Sequence, residues 1–139
     1  MTYTTTVDAT TVGEATSHFM QTLQQIEKTG EVEPLVELFS NDAELTNLAM
    51  LEPLKGKEGA RQFWQKYLSV FDRIHSEFTH VVEANDSSVL EWVSKGALST
   101  SEEITYRGVS ILEFNHGKVQ HFRTYYDSAA FLPQGAKHG

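Results

Sequence analysis

The sequence contains no cysteine, only three prolines and few positive charges: 11 Lys and Arg against 19 Asp and Glu, a net charge of −8. Each shortage closes off a class of function. Without thiols there is no disulfide framework, no thiolate nucleophile and no Cys-based metal site. The basic residues are scarce and scattered, so neither a nucleic-acid backbone nor an anionic membrane surface finds the clustered Lys and Arg it needs. No apolar run approaches the ~20 residues of a membrane-spanning helix. The first 27 residues hold no Lys or Arg and no apolar core of a secretory leader. The expected setting is the cytoplasm. Gly-rich phosphate loops, the Gly-x-Ser-x-Gly elbow and His-Glu-x-x-His are all missing. The histidines at 18, 75, 80, 116, 121 and 138 form no i, i+4 pair. A His80–His121 metal site would need their strands to be adjacent, and the sequence offers it no clear carboxylate partners at matching positions. Neither metal nor other cofactor is expected.

What remains is ordinary globular composition, 40% hydrophobic and 22% charged over 139 residues, enough for one domain with a real core. Residues 1–13 are Thr-rich and aperiodic and read as a flexible tail, as do residues 133–139; residues 14–132 read as a single domain. Thr11 and Glu14 fit a capping box opening a helix. Ala15, Phe19, Leu23 and Ile26 follow at helical spacing, and Gly30 stops it. A short helix is predicted from Pro34 through Leu38 and Phe39 to Asp42, then a strand over Ala43 to Met50. Ala60, Phe63, Trp64, Tyr67, Leu68 and Phe71 form a continuous apolar stripe, the clearest helix in the chain.

From His75 the period changes to two. His75 to Ala84, Val89 to Leu98, Glu103 to Phe114 and Val119 to Asp127 read as four strands joined by short polar turns, hence antiparallel neighbours. Helices first and a meander afterwards give an α+β fold, a curved antiparallel sheet wrapped by N-terminal helices. Both faces of the last two strands carry bulk, with Val109, Ile111, Phe122 and Tyr126 as the proposed outer patch. A homodimer through that face is expected.

Candidate chemistry centres on Phe122-Arg-Thr-Tyr-Tyr-Asp127, where Arg123, Tyr125 and Asp127 share one phase, roughly 7 Å between alternate residues. A carboxylate beside a phenol and a guanidinium can move protons, Arg123 favouring the ion and an apolar pocket opposing it. The competing reading is an Asp that ends a strand, caps the next segment of chain and pairs with Arg123 at the surface. Trp92, in phase with Leu90 and Ser94, either walls a pocket or is core. Asn47 and Ser110, polar within apolar strand patterns, either bond locally or face a cavity. Tyr106, in phase with Leu112 and Phe114, joins the candidate ligand contacts.

The order of elements, with Asn41-Asp42-Ala43 entering a strand, Leu54-Lys55-Gly56 before an aromatic helix and a final Arg123-x-Tyr125-x-Asp127, resembles the nuclear-transport-factor-2-like superfamily. Within it the chain is most similar to the SnoaL-like group of polyketide cyclases, ketosteroid isomerases and limonene epoxide hydrolases. The resemblance implies a cone-shaped fold around a mostly apolar pocket, a small apolar or aromatic ligand and commonly a homodimer. The isomerases' base, oxyanion Tyr and protonated Asp fall on Asn47, Leu23 and Ser110, all departures from their pattern. The hydrolases' Arg-x-Asp pair falls on Trp92 and Ser94, and their first-strand Tyr and Asn fall near Thr46 and Leu48. Only Asp127 keeps a carboxylate, so the resemblance makes Asp127 the candidate acid/base residue. A non-catalytic binder and a dimeric protein-interaction module of the same fold stand as alternatives.

Overall fold

The structure is a computed structural model that describes residues 2–4 and 13–132. Helix α1 (Glu14–Thr29) buries Phe19, Met20, Leu23 and Ile26 along one stripe. It closes at Gly30, whose φ of 79° lets its N–H reach the carbonyl of Ile26 at 2.8 Å. Its start differs from expectation. Thr11 lies outside the described residues, Gly13 is the N-cap and Glu14 is the first helical residue, so Glu14 is not at the third position a capping box needs. Instead the Gly13 N–H donates to the Glu83 carboxylate at 3.0 Å, which sets a negative group at the positive end of the helix.

Helix α2 (Glu33–Val36) is a single turn. The expected continuation to Asp42 is replaced by strand β2 (Phe39–Asn47), which begins four residues before Ala43. Leu35, Val36 and Phe39 are fully buried, a pattern that a helix or a turn followed by a strand satisfies equally. Backbone pairing decides it, since Phe39 lies opposite Val119 and the Val119 N–H donates to the Leu38 carbonyl at 2.8 Å. A two-residue strand β3 (Leu54–Lys55) leads into helix α3 (Gly56–Ser69). Trp64 at its centre is only 3% exposed and meets the rings of Phe19, Phe39, Phe63, Tyr67 and Phe122. Phe71, the end of the predicted helical stripe, is buried but already opens the next strand.

The meander is β4 (Phe71–Ala84), β5 (Ser87–Leu98), β6 (Glu103–Asn115) and β7 (Lys118–Tyr126), and a 3₁₀ turn (Ser128–Phe131) comes after it. Residues Thr2–Thr4, within the expected tail, form an edge strand β1 on β4; residues 5–12 and 133–139 lie outside the described part. The seven strands run in the order β1-β4-β5-β6-β7-β2-β3, antiparallel except where β2 lies parallel to β7. The sheet is curved and unclosed, and the helices cover its concave side. Two strands separate β4 from β7, so His80 and His121 are not on neighbouring strands and cannot form the pair considered above. No helix among the described residues is long and apolar enough to cross a membrane.

Irregularities set the curvature. The register slips between Phe78 and His80, which moves the inward phase of β4 from Ile74, Ser76 and Phe78 to Val81 and turns Val82 out. Gly96 lies beside a second slip, where a Cβ would fall on the carbonyl oxygen of Arg73, a backbone atom with nowhere to go. Gly96→Ala is therefore expected to destabilise by about 1–3 kcal/mol, the cost of overpacking. A urea midpoint equal to the parent's would mean that the strands do not approach so closely.

Candidate functional site

Between the concave sheet face and α3 lies a cavity of about 600 Å³. Most of its wall is apolar, with Leu54, Phe63, Trp64, Phe71, Phe122 and Phe131 contributing, and exposed Lys66 stands on its α3 side. Two polar rows cross the sheet floor. Register places Ser76 opposite Ser94 and Ser94 opposite Tyr106 in one row. It places Ser110 opposite Thr124, and Thr124 opposite Asn47, in the other. All six line the cavity.

Trp92 lies between the rows. It is paired with Gly108, where a Cβ would sit 2.6 Å from Cζ2 of the indole; the missing side chain lets the ring lie across the neighbouring strand. The indole Nε1 then donates to Ser110 Oγ at 3.0 Å, and Ser110 and Thr124 share a hydrogen bond of 2.9 Å. The Asn47 Oδ1 accepts the backbone N–H of Ala49 at 2.9 Å, which fixes the amide orientation.

The first row is tied to a carboxylate that sequence reasoning missed. Glu27, half-buried on α1, accepts at Oε2 from the Tyr67 hydroxyl (2.6 Å) and the Ser76 hydroxyl (2.6 Å), and at Oε1 from the Ser76 N–H (2.7 Å). Ser76 and Ser94 share a bond of 2.5 Å. Burial pushes the Tyr67 phenol well above its ordinary value, with the Glu27 charge adding to it. Burial likewise raises Tyr106, helped by Tyr126 and Glu27. Both phenols are thus held protonated. Met20, Leu23 and Glu27 recur at i, i+3 and i+7 on α1, and a Glu continuing an apolar stripe is the signal that could have revealed it.

The sequence-predicted residues divide. Asn47, Trp92, Ser110 and Tyr106 line the cavity. Arg123, Tyr125 and Asp127 do not. Phe122, Thr124 and Tyr126 take the inward phase of β7, so Arg123 and Tyr125 face outward, and Tyr125 is 37% exposed. Arg123 pairs with Glu113 at 2.7 Å rather than with Asp127. The strand ends at Tyr126, and exposed Asp127 caps the 3₁₀ turn by accepting the Ala129 N–H at 3.1 Å. Its position is that of the strand-end cap, one of the two readings above.

The model of the SnoaL-like domain family matches residues 17–122 of the chain. No curated protein matches it. Solved structures share the fold at low identity. An NTF2-like protein from Anabaena variabilis superposes with a TM-score of 0.77 at 17% identity, covering 84% of this chain and 90% of that one. A hypothetical protein of ketosteroid-isomerase-like fold from Catenulispora acidiphila, in complex with trimethylamine, gives 0.73 at 16% identity over 87% and 96%. The epoxide hydrolase/cyclase-like enzyme SalBIII, of pyran ring formation in salinomycin, gives 0.70 at 12% identity over 84% and 93%.

Proposed function

The chain belongs to the SnoaL-like domain family, and on that footing we propose that it is a cofactor-free acid/base enzyme of the isomerase, cyclase or hydrolase type, acting on a small, largely apolar molecule in the cone cavity. One observation carries the reading: a carboxylate, Glu27, stands directly behind an apolar cavity and receives hydroxyls from two residues of its wall, Tyr67 and Ser76. This replaces Asp127 as the acid/base residue.

The step is a relay. Tyr67 passes its hydroxyl proton to Glu27 as it takes one from the substrate. Glu27 ends neutral, the substrate ends as an enolate or alkoxide, and return of the proton to another atom completes an isomerisation or ring closure. The apolar wall strengthens each of these interactions by excluding water.

A substrate-independent probe tests this. When 5-nitrobenzisoxazole gives up its ring proton to a base, the N–O bond breaks and a coloured nitrophenolate is released. Saturable turnover, competed by biphenyl, is expected. A rate no faster than that of a denatured sample would favour the non-catalytic binder.

The dimer is proposed on a changed set of residues. Phe122 and Tyr126 face the core and cavity, so the outer patch consists of Val82, Val89, Val93, Val109, Ile111 and Tyr125. Glu77, Glu91, Arg107 and Arg123 stand in register with it. Apolar and charged side chains interleave on this face, Glu91 standing between Val89 and Val93 and Arg107 opposite Val93. A second copy of the chain can cover the apolar residues while pairing the charges. Sedimentation equilibrium at micromolar concentration is expected to give twice the chain mass; a monomer that persists on concentration would refute it.

A further inference from the structure

We infer that the cavity reads the polarity of its ligand along one axis: it takes an apolar rod carrying a hydrogen-bond donor at the Ser94–Tyr106 end and an acceptor, such as a ketone oxygen, at the Ser110–Asn47 end. The inference rests on the small-molecule reading of the cavity and adds the chemical class.

Counting protons sets the two ends. The single Ser76 hydroxyl proton is committed to Glu27, so the 2.5 Å bond between Ser76 and Ser94 has Ser94 as donor. Tyr67 also gives its proton to Glu27. The hydroxyls of Ser76, Ser94 and Tyr67 therefore point their protons toward the carboxylate. Tyr106, whose hydrogen-bond partners Tyr67 and Ser94 have theirs committed, donates to one of these, so oxygen lone pairs are left for the cavity. The charge behind the wall favours a ligand O–H or N–H and repels a carbonyl.

The opposite row has the reverse balance. Ser110 already accepts from the Trp92 N–H, and the Ser110–Thr124 bond uses one of two hydroxyl protons. Whichever residue donates, one proton is left over. Asn47 uses its oxygen on Ala49, which leaves its amide NH₂ without a partner among the described residues. Two donors thus converge where no carboxylate stands, and an acceptor satisfies them.

Spacing sets the length. Leu90 lies in the Ser110 row and Ser94 in the other; four residues of β5 separate them, roughly 13 Å along a strand. A two-ring rod or a fused polycycle with polar groups at its two ends spans this, whereas a single ring does not.

Both tryptophans of the chain, Trp64 and Trp92, line the cavity, so quenching of intrinsic fluorescence reports its occupancy. Four probes share one skeleton: biphenyl, 4-hydroxybiphenyl, 4-acetylbiphenyl and 4-acetyl-4′-hydroxybiphenyl. The last is expected to bind about tenfold more tightly than either singly substituted probe, one net hydrogen bond being worth about that factor. Asn47→Asp keeps the bond to Ala49 but replaces the NH₂ by a charged oxygen. It is expected to erase the gain of 4-acetylbiphenyl over biphenyl while the gain of 4-hydroxybiphenyl over biphenyl, measured in the same variant, persists. Glu27→Gln is expected to erase the gain from the hydroxyl. If biphenyl binds as tightly as the bifunctional probe, or the acetyl gain survives Asn47→Asp, the polarity inference is overturned while the cavity reading stands. If none of the four quenches, both fall.

Discussion

Trp64→Ala is expected to remove about 3–5 kcal/mol of stability, the range for truncating a buried aromatic side chain. Five aromatic rings surround this indole, with the centroids of Phe63 at 4.9 Å, Phe122 at 5.2 Å and Tyr67 at 5.7 Å among them. The rings come from α1, β2, α3 and β7, so no single element can move in to fill the gap. The indole N–H has no partner among the described residues, so the ring is held by packing and edge-to-face contacts. Stabilities of domains this size are about 5–15 kcal/mol, and the loss is a large share of that. Phe63→Ala should cost less, because Phe63 is only half-buried and one side already borders the cavity. Urea unfolding of both variants checks the order, and a Trp64→Ala midpoint close to the parent's would mean that this aromatic cluster is not the centre of the core.

Glu27→Gln is expected to lower turnover of 5-nitrobenzisoxazole by about 10²–10⁴-fold, the usual contribution of a positioned acid/base group. The substitution preserves shape but turns one acceptor oxygen into a donor facing two hydroxyls. A stability loss of about 1–3 kcal/mol should accompany it. Tyr67→Phe separates the two effects, because it leaves the carboxylate and its Ser76 bonds in place while removing the hydroxyl that relays the proton. A comparable loss of rate in Tyr67→Phe, with the fold intact, is the expected signature of the relay. Asp127→Asn should keep turnover within about twofold, since Asp127 is exposed and bonded to Ala129. The opposite ranking, with Asp127→Asn inactive and Glu27→Gln active, would return the chemistry to the end of β7.

The elements with a sustained period were legible in the sequence. The stripe from Ala60 to Leu68 falls within α3, and all four meander strands lie within a few residues of their predicted limits. The boundary at Phe39 was not legible, because burial at Leu35, Val36 and Phe39 fits a helix as well as a turn, and only the distant Val119 decides. The inward face of β7 was not legible for a related reason: Phe122, Tyr125 and Tyr126 put bulk on both phases, so bulk alone does not choose between them. The charge of Arg123 was the better guide, since an ionised side chain with one acidic partner on the open face costs far less there than inside. Asn47, Trp92, Ser110 and Tyr106, which line the cavity, were legible as polar or aromatic residues set among apolar strand neighbours rather than from a clear phase. Glu27 was lost inside a helix where acidic residues are commonplace.

The parallel pairing of β2 with β7 joins an early segment of the chain to its last strand, with Asn47 beside Thr124. Such a contact closes a loop spanning most of the domain, and the entropy of that closure precedes any reward from pairing. During synthesis the helices and the β4–β5 hairpin can form while the chain is still growing. The Asn47–Thr124–Ser110 row cannot, because one of its three strands is the last to be made. The cavity is therefore the last part of the described fold to be completed, and a nascent domain has a nearly complete scaffold before it has anywhere to hold a ligand.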